Sequence, residues 1–412
     1  MHSGEMSGTT CGRCVALGVV IAIVLAFPAT TPALGSDISG EKVYSGELGG
    51  PRGETWKVLP GAVLRFRGGR WIVRGRLLVE GTSDQPVRII GDEAFEGIDI
   101  RGGSGSAISG AILSGGMRGV QLTGASAVFR KVRWEKNGIG LEVGQYAKAT
   151  LDNCAFDSPF RVGILVKRGG AADVAGCRFT GAGKAGMYVY GARDVSVREC
   201  RFETNAAGLT VAMSGARVSV ADCLFRGNGT GILAERMAVP KVDGCDIEGN
   251  KVGLLFSRRA EGTVSGSRIA GNGDGVVVEY SSYPVFRGNR FRANRDAAVR
   301  LRNQSGQWEE EIGDAGRDSP GGAPFGGGRE GRMDFRPGGE GPIPGWPAEA
   351  PGAPPGKKEV LTGTVDFREN DWGELAGEVA KGGNVAAIHD GRDEPEFEYK
   401  GKRYRMDRVL LK

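Results

Sequence analysis

Residues 195–211 read V-S-V-R-E-C-R-F-E-T-N-A-A-G-L-T-V. Four marks follow one another in that stretch: a cysteine (Cys200), a large apolar residue two places on (Phe202), an asparagine (Asn205) and a glycine opening an apolar run (Gly208). Each mark recurs along the chain. Cysteines fall at Cys154, Cys177, Cys200, Cys223 and Cys245, at spacings of 23, 23, 23 and 22. The apolar mark recurs as Phe156, Phe179, Phe202, Phe225 and Ile247, and continues without cysteine through Ile269 and Phe291. The asparagines are Asn205, Asn228, Asn250, Asn272 and Asn294, and the glycines are Gly163, Gly186, Gly208, Gly231, Gly253 and Gly275. Columns sharing one period of 22–23 residues are the signature of a repeat architecture.

The chemistry inside one period selects the architecture. After each glycine, alternate residues are apolar, as in Leu209 and Val211, Met187 and Val189, Ile164 and Val166. That period of two marks a strand. The segments are too short for a βαβ crossover, and the L-x-x-L-x-L-x-x-N pattern of leucine-rich repeats is missing. A parallel β-helix remains, each period forming one coil stacked about 4.8 Å above the last. Stacking makes each column a ladder. The phenylalanines then fill the interior, the asparagine amides bond to one another at a bend, and the cysteines, sharing inward parity, are expected as buried, reduced thiols. Stacked neighbours with parallel Cβ vectors are badly placed for disulfides. No histidine lies near them, since the two are His2 and His389, and no metal is assigned to them.

The rest of the 412 residues divides by composition. Residues 1–35 resemble a secretory signal, with an apolar stretch of 13 residues at 15–27, too short to span a bilayer, and a small-x-small pattern at Ala33, Leu34 and Gly35. Residues 36–312 form the expected β-helix. Residues 313–356 are Pro/Gly-rich and aperiodic and are expected as a disordered insertion. Residues 357–412 regain strand alternation and are expected to close the last coil and cap it, because an open solenoid end exposes unpaired backbone. Net charge is +5, and no further segment is apolar enough to cross a membrane.

Two runs carry a resemblance. P-G-A-V-L-R-F at 60–66 with V-R-G-R-L-L-V-E-G-T-S-D-Q-P-V-R-I at 73–89 resembles the opening coils of secreted right-handed β-helix proteins of the pectate-lyase-like superfamily. N-D-W-G at 370–373, a short helix at 374–381 and the turn A-I-H-D-G-R-D-E-P at 387–395 resemble the closing segment of the same proteins, with Asp371 where an aromatic is commoner. The resemblance implies an all-β, single-stranded right-handed parallel β-helix (a solenoid) of about 10–12 coils with a C-terminal cap. It also implies export to the periplasm, cell surface or medium, and an outward sheet face as the place for function.

Enzymes of that fold work on acidic polysaccharides. Hydrolysis needs paired carboxylates, and no Asp-Asp pair, Gly-His-Gly turn or Asp-Pro-His-Asp motif occurs among the coils. Asp99, Glu142 and Asp152 read as scattered rather than as a Ca²⁺-binding column. Two outward features remain. Arg133, Arg178, Arg201, Arg268 and Arg290 follow the cysteine position by one residue, a positive stripe suited to an anionic polymer. Lys167, Tyr188 and Tyr190 point outward from neighbouring coils, where tyrosines stack on sugars and a Tyr–Lys pair supports acid–base chemistry. The same face carries the aliphatic stripe Leu165, Leu233, Leu255 and Val277, which suggests coverage by another segment or a partner, the Pro/Gly-rich stretch and the cap being candidates within the chain. The expectation is an exported, non-catalytic β-helix protein that binds an anionic polysaccharide or a cell-surface protein through those arginines, with no cofactor. Nucleic acid is excluded as a partner by the lack of interleaved aromatics. The alternatives are a lyase or epimerase centred on Lys167, Tyr188 and Tyr190, with Ca²⁺ required only in that case, and a periplasmic accessory protein resembling copper-enzyme maturation factors.

Overall fold

A computed structural model describes residues 37–306 and 363–412. The expected signal segment at 1–35 and Pro/Gly-rich stretch at 313–356 lie outside the described residues. Each coil is built from three short strands, as in Asp194–Arg198, Arg201–Glu203 and Ala207–Ala212. Equivalent strands of successive coils pair in parallel. They form a first sheet of 13 strands, a second of 12 and a third of 13. The chain is therefore a β-solenoid, and no helix among the described residues is long and apolar enough to cross a membrane.

The ladders form as the period demands. Phe156, Phe179, Phe202 and Phe225 are buried and stack with centroids 4.5–4.9 Å apart and interplanar angles of 3–4°. Trp134 extends the stack below at 4.4 Å. Asn250 Oδ1 accepts from the backbone N–H and the Nδ2 of Asn228, both at 2.9 Å, and its own Nδ2 donates to Asn272 Oδ1 at 3.0 Å. The glycine column is required by close approach. A Cβ on Gly186 would lie 2.8 Å from the carbonyl oxygen of Gly208 and 2.9 Å from Phe179 Cβ.

All five cysteines of the described chain are buried and free. Each Sγ of Cys177, Cys200 and Cys223 accepts the backbone N–H of the cysteine one coil earlier at 3.4 Å. The column then continues through Ser267, Asn289 and Asn370, whose side-chain oxygens accept the same N–H from the preceding coil. Cysteine thus substitutes for the polar ladder residue.

The closing residues complete the first and third sheets. Thr364–Asp366 pairs with Arg408–Leu410, and Ile388 and His389 pair with Val299 and Arg300. Trp372 covers Phe291 at 4.7 Å. The buried Asp407 accepts from Tyr283 Oη at 2.7 Å, Gln304 Nε2 at 3.3 Å and Gly306 N at 3.1 Å, tying this segment to the last coils. A 3₁₀ turn at Gly373–Leu375 leads into the helix Ala376–Lys381, and an antiparallel hairpin joins Glu396–Tyr399 to Lys402–Arg405.

Candidate functional site

Alternation within each strand sends one set of side chains into the core and the other outward, so each sheet has an outer face built of columns. The three faces differ sharply in chemistry.

The outer face of the second sheet holds the arginine column. Arg133, Ala155, Arg178, Arg201, Leu224, Asp246, Arg268 and Arg290 stand in register, with Arg178 directly paired to Arg201. The next outward column, two residues along each strand, carries Glu135, Asp157, Glu203 and Glu248 among Thr180, Arg226, Ala270 and Arg292, and it pairs with Arg133, Arg178 and Arg268. Arg133 Nε lies 2.6 Å from Asp157 and 3.0 Å from Glu135, Arg178 Nε lies 3.4 Å from Glu203, and Arg268 Nη1 lies 2.6 Å from Glu248. Glu248 also pairs with Arg226. The face is an exposed lattice of opposite charges, in which each pair is worth little.

The outer face of the third sheet holds Lys167, Tyr188 and Tyr190. The register stacks Glu142, Leu165, Tyr188, Thr210, Leu233, Leu255 and Val277 in one outward column. All seven are buried despite pointing away from the core. Lys167 Nζ binds Glu142 Oε1 at 2.5 Å, and Arg118 Nε holds the other carboxylate oxygen at 3.1 Å. The rings of Tyr188 and Tyr190 are 6.4 Å apart. Burial, reinforced by Glu235, pushes the Tyr188 phenol upward. Asp99 and Glu142, expected as scattered, share this column with Gln121 between them. The coil from Gln121 to Glu142 is one residue short of the usual period, and Gln121 breaks the run of carboxylates, which hid the alignment.

The outer face of the first sheet forms a groove of about 400 Å³, lined by Lys148, Asp173, Arg193, Asp194, Ser196, Arg217, Ser219 and Lys241 together with Ala171, Val195, Val218 and Val239. Asp173, Ser196, Ser219 and Lys241 form its central column. At one end Asp173 is fixed by Lys148 Nζ at 3.1 Å and by the Ser196 hydroxyl, which donates at 3.0 Å. Partial burial alone would raise this carboxyl; Lys148, Ser196 and Arg198 outweigh burial and hold it below the usual range. Arg193, Arg217 and Lys241 come from three consecutive coils and make no ion pair among the described residues. None of these groove residues belongs to the expected sites. Arg193 and Arg217 precede the strand while Lys241 lies within it, so the three do not share one offset from the cysteine. The readable signal was the alternation itself, A-A-D-V-A at 171–175 and D-V-S-V-R at 194–198, whose outward positions are polar.

Among the described residues no group of three or more His, Cys, Asp or Glu side chains gathers where a metal ion could bind.

A family model described as the right-handed β-helix region matches residues 96–238 and 222–309. No curated protein matches the chain. Among solved structures, a pectate lyase shares 17% identity over 65% of this chain and 79% of that one, with a TM-score of 0.34. The A-module of a mannuronan C-5 epimerase from Azotobacter vinelandii shares 14% identity over 66% and 90%, with a TM-score of 0.33. An alginate lyase from Paenibacillus shares 12% over 60% and 93%, with a TM-score of 0.23. These likenesses concern the fold alone.

Proposed function

The chain belongs to the right-handed β-helix family, and on that scaffold we propose an exported protein whose first-sheet groove binds an acidic polysaccharide without cleaving it. The observation that carries this reading is the set of Arg193, Arg217 and Lys241 on consecutive coils, free of carboxylate partners among the described residues, lining the groove. Their coils rise by about 4.8 Å each, so a polymer lying along the axis meets a cation at each step. Asp173, held by Lys148 and Ser196, presents hydrogen-bonding groups for hydroxyls at the end of the same groove. Export is supported by the apolar segment at 15–27 and the small residues that follow it.

The lattice of the second sheet is the natural comparator, because its arginines were the sequence expectation. Binding to a polyuronate is measured for wild type, Arg217→Ala/Lys241→Ala and Arg178→Ala/Arg201→Ala at low and moderate salt. Each exposed cation contributes roughly 0.5–1 kcal/mol, screened by salt, so the groove variant is expected to bind about tenfold more weakly at low salt. The lattice variant is expected to match wild type. Equal affinity in the groove variant overturns the assignment, and a loss confined to the lattice variant moves the site to the arginine column. Appearance of unsaturated uronate ends with wild type replaces binding by lyase action.

A further inference from the structure

We propose that the cysteine ladder is a binding site for a soft, closed-shell metal cation of the Cu(I) or Ag(I) type, taken up by two-coordinate bonding between sulfurs of neighbouring coils. The ladder is repetitive at the level of single atoms. Cys177, Cys200, Cys223 and Cys245 each direct Sγ at the backbone carbonyl two residues earlier, at 3.2, 3.2, 3.1 and 3.3 Å. Cys177, Cys200 and Cys223 each also accept an N–H from the coil below, always at 3.4 Å. Side chains repeating the same contacts on every coil are related by the coil translation, so successive sulfurs stand about 4.8 Å apart. Metal–sulfur bonds run about 2.3 Å, and an ion between two such sulfurs spans about 4.6 Å. The rise of the solenoid therefore matches a linear sulfur–metal–sulfur unit with almost no rearrangement.

The same geometry excludes other metals. Zinc wants four donors around one point, and here no three ligands converge. Thiolate ligands favour soft ions, and a linear site needs only two donors. The backbone N–H groups that already point at Cys177, Cys200 and Cys223 can donate to a thiolate once its S–H bond to the carbonyl is given up. They supply the outer-shell support that metal-bound thiolates use. A sulfur bound to one ion cannot hold a second in line with the first, so the five sulfurs serve at most two separate pairs. Each monovalent ion that enters a pair displaces one proton and leaves one thiolate and one thiol around it, so no net charge is buried.

The test titrates the native chain, anaerobically and with reductant, with Ag(I) and with Cu(I) held by a competing chelator. Bound metal, released protons and the thermal midpoint are read together. The expected result is two ions per chain, one proton released per ion, and a rise in Tm. The Cys177→Ser variant keeps the ladder hydrogen bond, since Ser267 fills the equivalent place in the native chain, but it isolates Cys154 and leaves one pair among Cys200, Cys223 and Cys245. Its stoichiometry is expected to fall by half while its circular dichroism matches wild type. No binding to the native chain, binding that appears only after unfolding, a fall in Tm on adding metal, or undiminished stoichiometry in Cys177→Ser overturns the proposal. Polysaccharide affinity is measured on the same samples. It is expected to be unchanged, since the ladder lies inside the coils and the groove lies outside.

Discussion

At the scale of single residues, this protein depends on side chains that complete hydrogen bonds the backbone cannot make at its bends. The column that begins as cysteine continues as Ser267, Asn289 and Asn370 without altering the bond it provides. Inward parity foretold the burial of the thiols, but their role as acceptors was not legible, because sequence patterns treat free cysteine as a small apolar group. A consequence is measurable. Cys200→Ala leaves the Cys177 N–H buried without an acceptor, and such a group costs about 1–3 kcal/mol. Cys200→Ser retains an oxygen there and should be the more stable of the two by about 1 kcal/mol in urea unfolding; equal stability of the two variants would deny the Sγ bond any weight. Hydrogen bonding to Cys223, with burial added, pushes the Cys245 thiol upward. The asparagine ladder is less forgiving. Asn250→Ala removes the acceptor of two Asn228 donors and the donor to the Phe225 carbonyl, and should cost about 2–4 kcal/mol on the same scale.

At the scale of the strand and coil, legibility followed the direction in which side chains point. Inward positions repeat because each coil must offer its neighbour the same shape, so Phe156 to Phe225 and Gly163 to Gly275 were readable from spacing alone. Outward positions face solvent and have no neighbour that demands a shape. That is why the ordered Arg133–Arg290 column is mostly a lattice of ion pairs, and why the cations of the groove, at unequal offsets from the ladder, escaped notice. The burial of Leu165, Leu233, Leu255 and Val277 on an outer face was legible from their aliphatic character, whereas that of Tyr188 was not, since parity reports direction and not cover. Packing gives the coil its own test. Phe202 lies between Phe179 and Phe225 at 4.5 and 4.7 Å, and Phe202→Ala should cost about 3–5 kcal/mol, as truncated core aromatics do. Gly186→Ala should also destabilise, because its methyl would meet the Gly208 backbone and the Cβ of Phe179. That steric cost should persist in Gly186→Ala/Phe179→Leu, because the backbone contact remains when the ring is gone.

At the scale of the whole molecule, a solenoid with a regular body is limited by its end. The closing residues are held to the last coils by carboxylates in cationic or hydrogen-bonded settings. Asp366 bonds Arg368 and Arg287, Asp371 bonds Arg292, and Glu374 accepts the Ala293 N–H. Arg368 and then Arg287 hold the Asp366 carboxyl well below the usual range; Arg292 does the same for Asp371, and the Ala293 N–H for Glu374. Carboxyls depressed in the folded state stabilise it at pH above their unfolded values, near 3.9 for Asp and 4.3 for Glu. That contribution is lost as pH falls through those values towards the folded ones. Asp407 has the opposite sign. Burial raises it against the pull of Tyr283, Gly306 and Gln304, so its contribution is complete below the unfolded value and is lost as pH rises through the folded one. Stability of the closure should therefore peak in mild acid and fall steeply below about pH 4. Thermal unfolding from pH 7 to pH 3 should show that acid limb in wild type. Arg287→Met/Arg292→Met removes the cations from Asp366 and Asp371 and should flatten it, while Asp407→Asn should remove the decline on the neutral side. Parallel curves for wild type and the arginine variant would mean that the end is held by Trp372 on Phe291 and by strand pairing alone, since neither contact titrates.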